Sequence, residues 1–387
     1  MELTRATIDR ASQCSRGRKA EQSSLVAPSS QPARVGHWRS VTVGPRSMPI
    51  PLTPPRRPRR CSMRDRFRHG VTVVLVAVSV GATAAAASAQ FLDETRPVSP
   101  SGPTLGDVRT QRYRVGVVVT AAGGRCRGIR ATMPVPDTWP EQVVRIVEED
   151  VSPDVRGFAH RPLAPGVRQL VVEIPDLAAG QSARAVVTYE LDRAALVAPA
   201  DTSTLRVPEK PDRDLRAFLG PSPYIESRHP RIVAFAREAA DGLEGWARVE
   251  AIYDAVREKV EYRNGEIKGA ARALADGWGD CEELTCLFIA AARSQGIPAR
   301  TVWVDGHCYP EFHLVDADGH GAWFPCQAAG TRAFGAMPDQ LPILQKGDNF
   351  RDPDRPGKSL RYVSEFMTGS AVGGGAAPVV EWIREGA

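Results

Sequence analysis

The sequence contains no Cys-x2-Cys pair along its 387 residues, so its seven cysteines lack the spacing of a structural zinc site. It also lacks an internal repeat and a glycine-rich loop of the phosphate-cradling kind. Neither a solenoid nor a nucleotide site is indicated, and no cofactor is implied. No long, strongly apolar run is present either. The most apolar stretch, Val71–Ala87, has 17 residues and its second half is mostly alanine, too weak for a membrane span. An excess of positive charge is missing from most of the chain. Residues 1–70 hold 15 Lys and Arg against 4 Asp and Glu, a net of +11; the whole chain carries +5, which leaves −6 for residues 71–387. A mildly acidic body argues against a nucleic-acid partner.

The amino-terminal segment behind this asymmetry has its own pattern. Residues 1–62 are rich in Arg, Ser and Pro, with no apolar period, and read as a non-native or disordered extension. From Met63 the chain runs through a basic start, an apolar stretch and the small-residue end Ala87-Ser88-Ala89. That is the layout of a signal peptide over 63–89, with cleavage expected after Ala89 and Met63 as the expected start. The implied location is secreted or periplasmic. Five cysteines then remain, Cys126, Cys281, Cys286, Cys308 and Cys326. Export permits disulfides, Cys308 with Cys326 among the options, and an odd count flags a free, reactive thiol.

Residues 90–110 read as a flexible lead-in. Alternating and apolar runs at 112–120, 168–176 and 182–191, separated by glycine turns, predict a small β-sandwich-like domain over 111–198. A polar, proline-containing linker follows at 199–214. Over 215–367 the period changes. Trp246, Val249, Ile252, Tyr253, Val256 and Val260 fall at helical steps of three and four. A short helix over 269–277 is closed by Gly277, and a longer one opens at Cys281 and ends at Gly296, with Leu284, Leu287, Phe288 and Ala291 inward. Strands follow around the turn ADGHG at 317–321, and a Gly/Ala-rich tail occupies 368–387. The fold class is α+β, helices packed on an antiparallel sheet.

Cys281 stands where chemistry is expected. Asp280 is a good N-cap, and Glu283 three residues on completes a capping-box pattern. Cys281 is then the first helical residue, where unpaired N–H groups and the helix dipole favour a thiolate. Glu282 and Glu283 oppose this unless they face solvent. Gly277 and Gly279 would let a substrate backbone approach, and Trp278, Gly279 and Asp280 are candidates for the oxyanion or substrate cleft. The other readings of Cys281 are a small buried residue or half a disulfide.

A nucleophilic thiol needs a base. His313 is placed best, in the apolar strand EFHLV, ahead of His307 at a strand end and His320 in the hairpin turn. Asp316 is an odd number of residues from His313 and falls on the opposite face. The neighbouring strand brings Cys326 and Gln327 near, and Gln327 can orient the imidazole through its amide oxygen. An amide supplies no charge, so the imidazolium is less stabilised than beside a carboxylate.

GWGDCEELTCLFIAAARSQGIPARTV, then EFHLV and GAWFPCQ, resemble the transglutaminase-like superfamily of papain-related cysteine enzymes. In that family a Gly-x-Cys opens the core helix, GIPAR ends it, and a histidine and an aspartate follow on successive strands. Cys281, Gly296–Arg300, His313 and Trp323 match in order. The family's aspartate falls on Gln327. The resemblance implies a papain-like or transglutaminase-like core over 215–367, with Cys281, His313 and Gln327 as catalytic residues. It implies a thioester route on peptides or carboxamides, with hydrolysis favoured over cross-linking as in bacterial members. The contrasting reading is a binding module that keeps the fold and holds a peptide or cell-envelope partner. No metal, nucleic acid or stable membrane span enters either reading, and oligomeric state stays open.

Overall fold

A computed structural model describes residues 101–386, Pro165 excepted. The expected extension (1–62) and signal peptide (63–89) lie outside the described residues, as does most of the lead-in. Among the described residues no helix is long and apolar enough to cross a membrane.

Six strands come first: β1 (Thr104–Thr120), β2 (Cys126–Val135), β3 (Gln142–Val151), β4 (Gly157–Ala164), β5 (Val167–Leu177) and β6 (Ser182–Val197). Their alternation has the expected cause. Tyr113, Val115, Val117 and Val119 of β1 and Ala183, Ala185, Val187, Tyr189 and Leu191 of β6 turn one face inward. Ile129, Ala131 and Met133 of β2 and Leu170, Val172 and Ile174 of β5 meet them from the second sheet. The helical part follows: α1 (Arg213–Arg216), α2 (Pro230–Ala239), α3 (Gly245–Lys259), β7 (Glu261–Tyr262), α4 (Ala270–Asp276), β8 (Trp278–Gly279) and α5 (Cys281–Ser294). Then come β9 (Ala299–Val304), β10 (His307–Val315), β11 (Gly321–Pro325), β12 (Ile343–Lys346), β13 (Phe366–Ala371) and β14 (Val379–Gly386).

The strand order departs from two separate domains joined by a linker. One sheet runs β14-β1-β6-β3; the other runs β11-β10-β9-β12-β5-β2-β13, with β4 added to β5. The hairpin strands beside the helices and the strands of the sandwich therefore belong to one continuous sheet, joined through β12. The supposed tail is part of this frame. β13 pairs with β2, and β14 pairs with β1 from Tyr113↔Gly386 to Thr120↔Val379. The lead-in is shorter than expected too, because β1 already pairs with β6 at Thr104↔Val197.

A buried charge cluster ties the two halves. Lys346 Nζ lies 2.5 Å from Glu141 Oε1 and 2.6 Å from Glu311 Oε1, and Arg300 holds the other Glu311 oxygen at 2.8 Å. Burial alone would raise the Glu311 carboxyl; Lys346 and then Arg300 outweigh it and hold it at about 2. Removing one partner would leave buried charge uncompensated, so the cluster fixes how β3, β10 and β12 meet.

Helix α5 is the centre of the helical part. The sequence suggests a single apolar face, but every residue from Glu282 to Arg293 is buried. Phe288, Leu287 and Ala291 pack with Val249, Ile252, Tyr253 and Val256 of α3 and with Phe312 and Leu314 of β10. At its carboxyl end Arg293 pairs with Asp348 at 2.7 Å and donates to the Ala299 carbonyl. A cation there complements the helix dipole, and α5 is held rigidly from end to end.

Candidate functional site

The amino terminus of α5 is built as the sequence suggests. Asp280 Oδ1 accepts from the Glu282 amide at 2.8 Å, and Glu283 Oε2 accepts from the Asp280 amide at 3.1 Å. Gly277 caps α4 in the left-handed region, with φ of 71°. Gly279 is required for a reason other than substrate approach: a Cβ there would fall 2.4 Å from the Glu283 Cβ. Glycine is what lets β8 press on the first turn of α5. The Trp278 ring face is covered by Lys268 Nζ at 3.0 Å from the centroid and by Arg263 at 5.3 Å.

Cys281 is the first residue of α5 and is half-buried. Its thiol is drawn down to about 5, first by a hydrogen bond from the Cys308 side chain, then against burial by the hydrogen bond and charge of His307. The backbone of Cys308 adds to this. The His307 imidazole moves the opposite way. Burial pulls it down, but its bond to Cys281, the thiolate charge and the Gln327 bond raise it overall. Opposed shifts of this kind describe a thiolate–imidazolium pair.

Glu282 and Glu283 do not face solvent; they are 8% and 1% exposed. Burial raises the Glu282 carboxyl to about 7, with Arg361 as its ion-pair partner opposing the rise. Asp280 is also raised to about 7, by burial and then by Glu283. Partial protonation of Glu282 and Asp280 near neutral pH mutes the repulsion these two would exert on a thiolate.

The histidine differs from the one expected. In the β10–β11 ladder His313 stands opposite Trp323 and Glu311 opposite Pro325. The Cys326 amide then bonds to the Pro310 carbonyl, so Gln327 comes abreast of the beginning of β10. The expected register, with Gln327 near His313, is thus displaced toward the strand start. His307 and His313 are six residues apart on one strand, about 20 Å at roughly 3.3 Å per residue. They cannot serve the same thiol. His313 packs edge-on against the Trp323 ring at 5.2 Å, over Gly321, with its backbone amide bonded to Pro298. It is a packing residue of the hairpin. His307 Nε2 lies 2.9 Å from Gln327 Oε1.

Gln327 is the third member that the sequence indicates, but through His307. Its backbone carbonyl accepts from the Tyr253 hydroxyl at 2.8 Å and from Arg257 at 2.9 Å, and its amide donates to Ala333. Thr285 Oγ1 bonds to the Cys308 carbonyl at 3.5 Å, pinning the start of β10 to the first turn of α5.

Two further residues of the site carry no motif. Tyr262, half-exposed, has its hydroxyl raised by burial and by the negative charges of Cys281 and Asp280, which puts it at the mouth of the site. Its position follows from the pairing Tyr262↔Gly279. Cys308 touches the thiol directly. All five described cysteines are free thiols, Cys308 and Cys326 included. Asp316, Asp318 and His320 are the group among the described residues whose spacing could hold a cation, at the far end of β10 from His307.

Residues 233–328 match the transglutaminase-like superfamily. A putative cysteine protease from Cytophaga hutchinsonii is similar in structure, with 18% identity and a TM-score of 0.45 over 72% of this chain and 93% of that one. A putative protease from Parabacteroides distasonis has 12% identity and a TM-score of 0.24, over 59% of this chain and 48% of that one. No curated protein matches the sequence. The matched segment, 233–328, is the one that carries Cys281, His307 and Gln327, and the fold around it is α+β.

Proposed function

We propose that this chain is a cysteine enzyme that opens peptide or carboxamide bonds through a thioester, with water as the usual acceptor. The observation that carries the reading is Cys281 as the first residue of α5 with His307 beside it, the ring held by Gln327 at 2.9 Å, a setting that draws the thiol down and the imidazole up. Such a pair supports catalysis over a binding module, for which a perturbed thiol has no use.

In the first step the Cys281 thiolate attacks the carbonyl carbon and the carbonyl electron pair moves to oxygen. The Cys281 amide, at the first helical position, has no upstream helical carbonyl to serve and is the nearest backbone donor for that oxyanion. His307, as imidazolium, protonates the departing amine while the carbon–nitrogen bond breaks and the thioester forms. The neutral imidazole then takes a proton from water as its oxygen adds to the thioester carbon. The carbon–sulfur bond breaks, the acid leaves, and the thiolate returns with His307 protonated. Gln327 keeps the ring aligned throughout. An amine in place of water would give transamidation by the same two steps.

The basic, apolar and small-residue layout of 63–89 supports action outside the cytoplasm, on protein or peptide substrates. The test is hydrolysis of a quenched-fluorescence peptide library and of glutamine carboxamides, with ammonia release and amine incorporation measured in parallel. Loss of all activity in Cys281→Ala, with unchanged folding, is the expected result. Activity that survives this substitution refutes the reading.

A further inference from the structure

Gln327 poses a problem of orientation. Its amide has an oxygen and a nitrogen of nearly equal shape, and only the oxygen can accept the His307 Nε2–H. The main chain at Gln327 is fixed by Tyr253, Arg257 and Ala333. What remains free is the flip of the amide itself. Gln327 Nε2 lies 3.1 Å from Asp339 Oδ2. A carboxylate can only accept, so it binds the NH2 end and turns the oxygen to His307. The ring's Nε2 then carries the hydrogen and its other nitrogen is left to the thiol.

We propose that Asp339 is a positioning residue of the site, supplying through Gln327 the carboxylate that the third position lacks. Asp339, Gln327, His307 and Cys281 form one chain of hydrogen bonds. The negative end of that chain is set back by one amide, which transmits orientation fully and charge weakly. This inference rests on the Cys281–His307 reading and deepens it.

The surroundings of Asp339 support such a role. Met337, two residues before it, exchanges both backbone hydrogen bonds with Leu196 of β6 at 2.9 Å. Gln340, next after it, donates to the Arg193 carbonyl at 2.9 Å and accepts at its own carbonyl from Gln111 at 2.6 Å. The exposed carboxylate thus hangs on a backbone clamped by β1 and β6. The sandwich thereby holds the outermost member of the relay in place, a use for its strands that the helical part alone cannot supply. The charge of Asp339 also contributes to holding His307 protonated.

The test uses the full chain with Asp339→Ala, which removes acceptor and charge, and Asp339→Asn, which keeps an acceptor. Each is read by peptide hydrolysis against pH, by peptide-resolved iodoacetamide alkylation of Cys281, and by the His307 ring proton resonance. Asp339→Ala is expected to lose about tenfold in rate, far below the roughly 10^4-fold cost of a mis-set tautomer in a serine–histidine–aspartate triad, because an exposed carboxylate acts through water and an intervening amide. The alkaline limb and the His307 midpoint should move down together, and Asp339→Asn should fall between. In a Gln327→Ala background the rate loss from Asp339→Ala should vanish, leaving only the small His307 shift that the Asp339 charge gives through space. An Asp339→Ala protein whose profiles superpose on the native ones overturns the inference. So does a loss that persists undiminished in Gln327→Ala, since that marks a structural role. A native thiol that titrates near about 8.5 refutes the Cys–His reading and this inference with it. A perturbed native thiol with an unresponsive Asp339→Ala refutes this inference alone.

Discussion

Replacing His307 by alanine should move the reactivity of Cys281 to higher pH, and the size of the effect can be worked from the site. In the intact protein the thiol is held at about 5, by the Cys308 hydrogen bond first and by His307 against burial. An ordinary thiol titrates near about 8.5. At pH 6 the thiolate fraction is then about 0.9 for the site and about 0.003 for an ordinary thiol, a ratio of ~300. The rate ratio is smaller. A thiolate loses intrinsic nucleophilicity as its pKa falls, with a Brønsted slope of about 0.4–0.5, which over about 3.5 pH units costs roughly 40-fold. The advantage of the native protein at pH 6 is therefore only about eightfold, and above about pH 7 the variant reacts faster. Both figures are upper bounds, because Cys308 keeps its hydrogen bond in the variant. The diagnostic quantity is the midpoint and the crossing of the two curves, not the rate at one pH. Peptide-resolved alkylation by iodoacetamide, from about pH 4.5 to 9, on the native chain, His307→Ala and His313→Ala reads it directly. The expected result is a native midpoint near 5, a His307→Ala midpoint more than about one unit higher, and a His313→Ala curve that follows the native one. A His307→Ala protein that keeps the native midpoint, or a His313→Ala protein that moves as far, would refute the assignment of the base.

Three other expectations follow from the same contacts. Gln327→Glu sets a carboxylate beside His307 and should raise the alkaline limb of activity, but it also faces Asp339 across 3.1 Å; the rise should be larger in Gln327→Glu/Asp339→Asn, and an unchanged limb in both would count against Gln327 as the His307 partner. Gly279→Ala drives a Cβ to 2.4 Å from that of Glu283 and should disrupt the capping box, lowering stability by about 1 kcal/mol or more as read in urea unfolding; a native urea midpoint would show that β8 can shift. Deleting residues 366–387 removes β13 and β14 and bares the edges of β2 and β1, so cooperative thermal unfolding should be lost; a truncated chain with the native Tm would mean these strands are dispensable.

The sandwich was legible because its strands carry a clear period of two and glycine turns between them. Its closure was not. β13 and β14 come from a stretch whose Gly373, Gly374 and Gly375 look like a loose tail, and nothing local says that Val379–Gly386 will pair with residues more than 250 positions earlier. The junction at β12 is invisible for a related reason: four residues, Ile343–Lys346, carry too little pattern to show that they join the hairpin strands and the sandwich strands into one sheet. Long-range pairing of short strands is fixed by the cluster Lys346, Glu141 and Glu311 and by packing, not by local propensity.

Cys281 and Gln327 were legible because each depends on something short-ranged. The capping box and Gly-x-Cys mark the start of α5 within a few residues, and Gln327 lies at a fixed count from Trp323. The base was not read correctly because it depends on register. The hairpin contains the information: if Val315 faces Gly321, each step outward keeps the two positions summing to the same number, and Gln327 belongs abreast of Tyr309, not His313. A histidine in a clean apolar strand looks better supported than one beside a tight turn. Yet that apolar setting is what makes His313 a packing residue against Trp323. The turn at Asp305-Gly306 brings His307 back at the very start of β10, where the Thr285–Cys308 contact docks the strand on the first turn of α5. A base for a helix-start thiol has to come from a strand start at that level, and on β10 His307 is the histidine there. The same reasoning places Asp339: the acceptor that aims Gln327 must come from a backbone segment clamped outside the helical part, and residues 337–340, tied to Leu196 and Arg193, provide it.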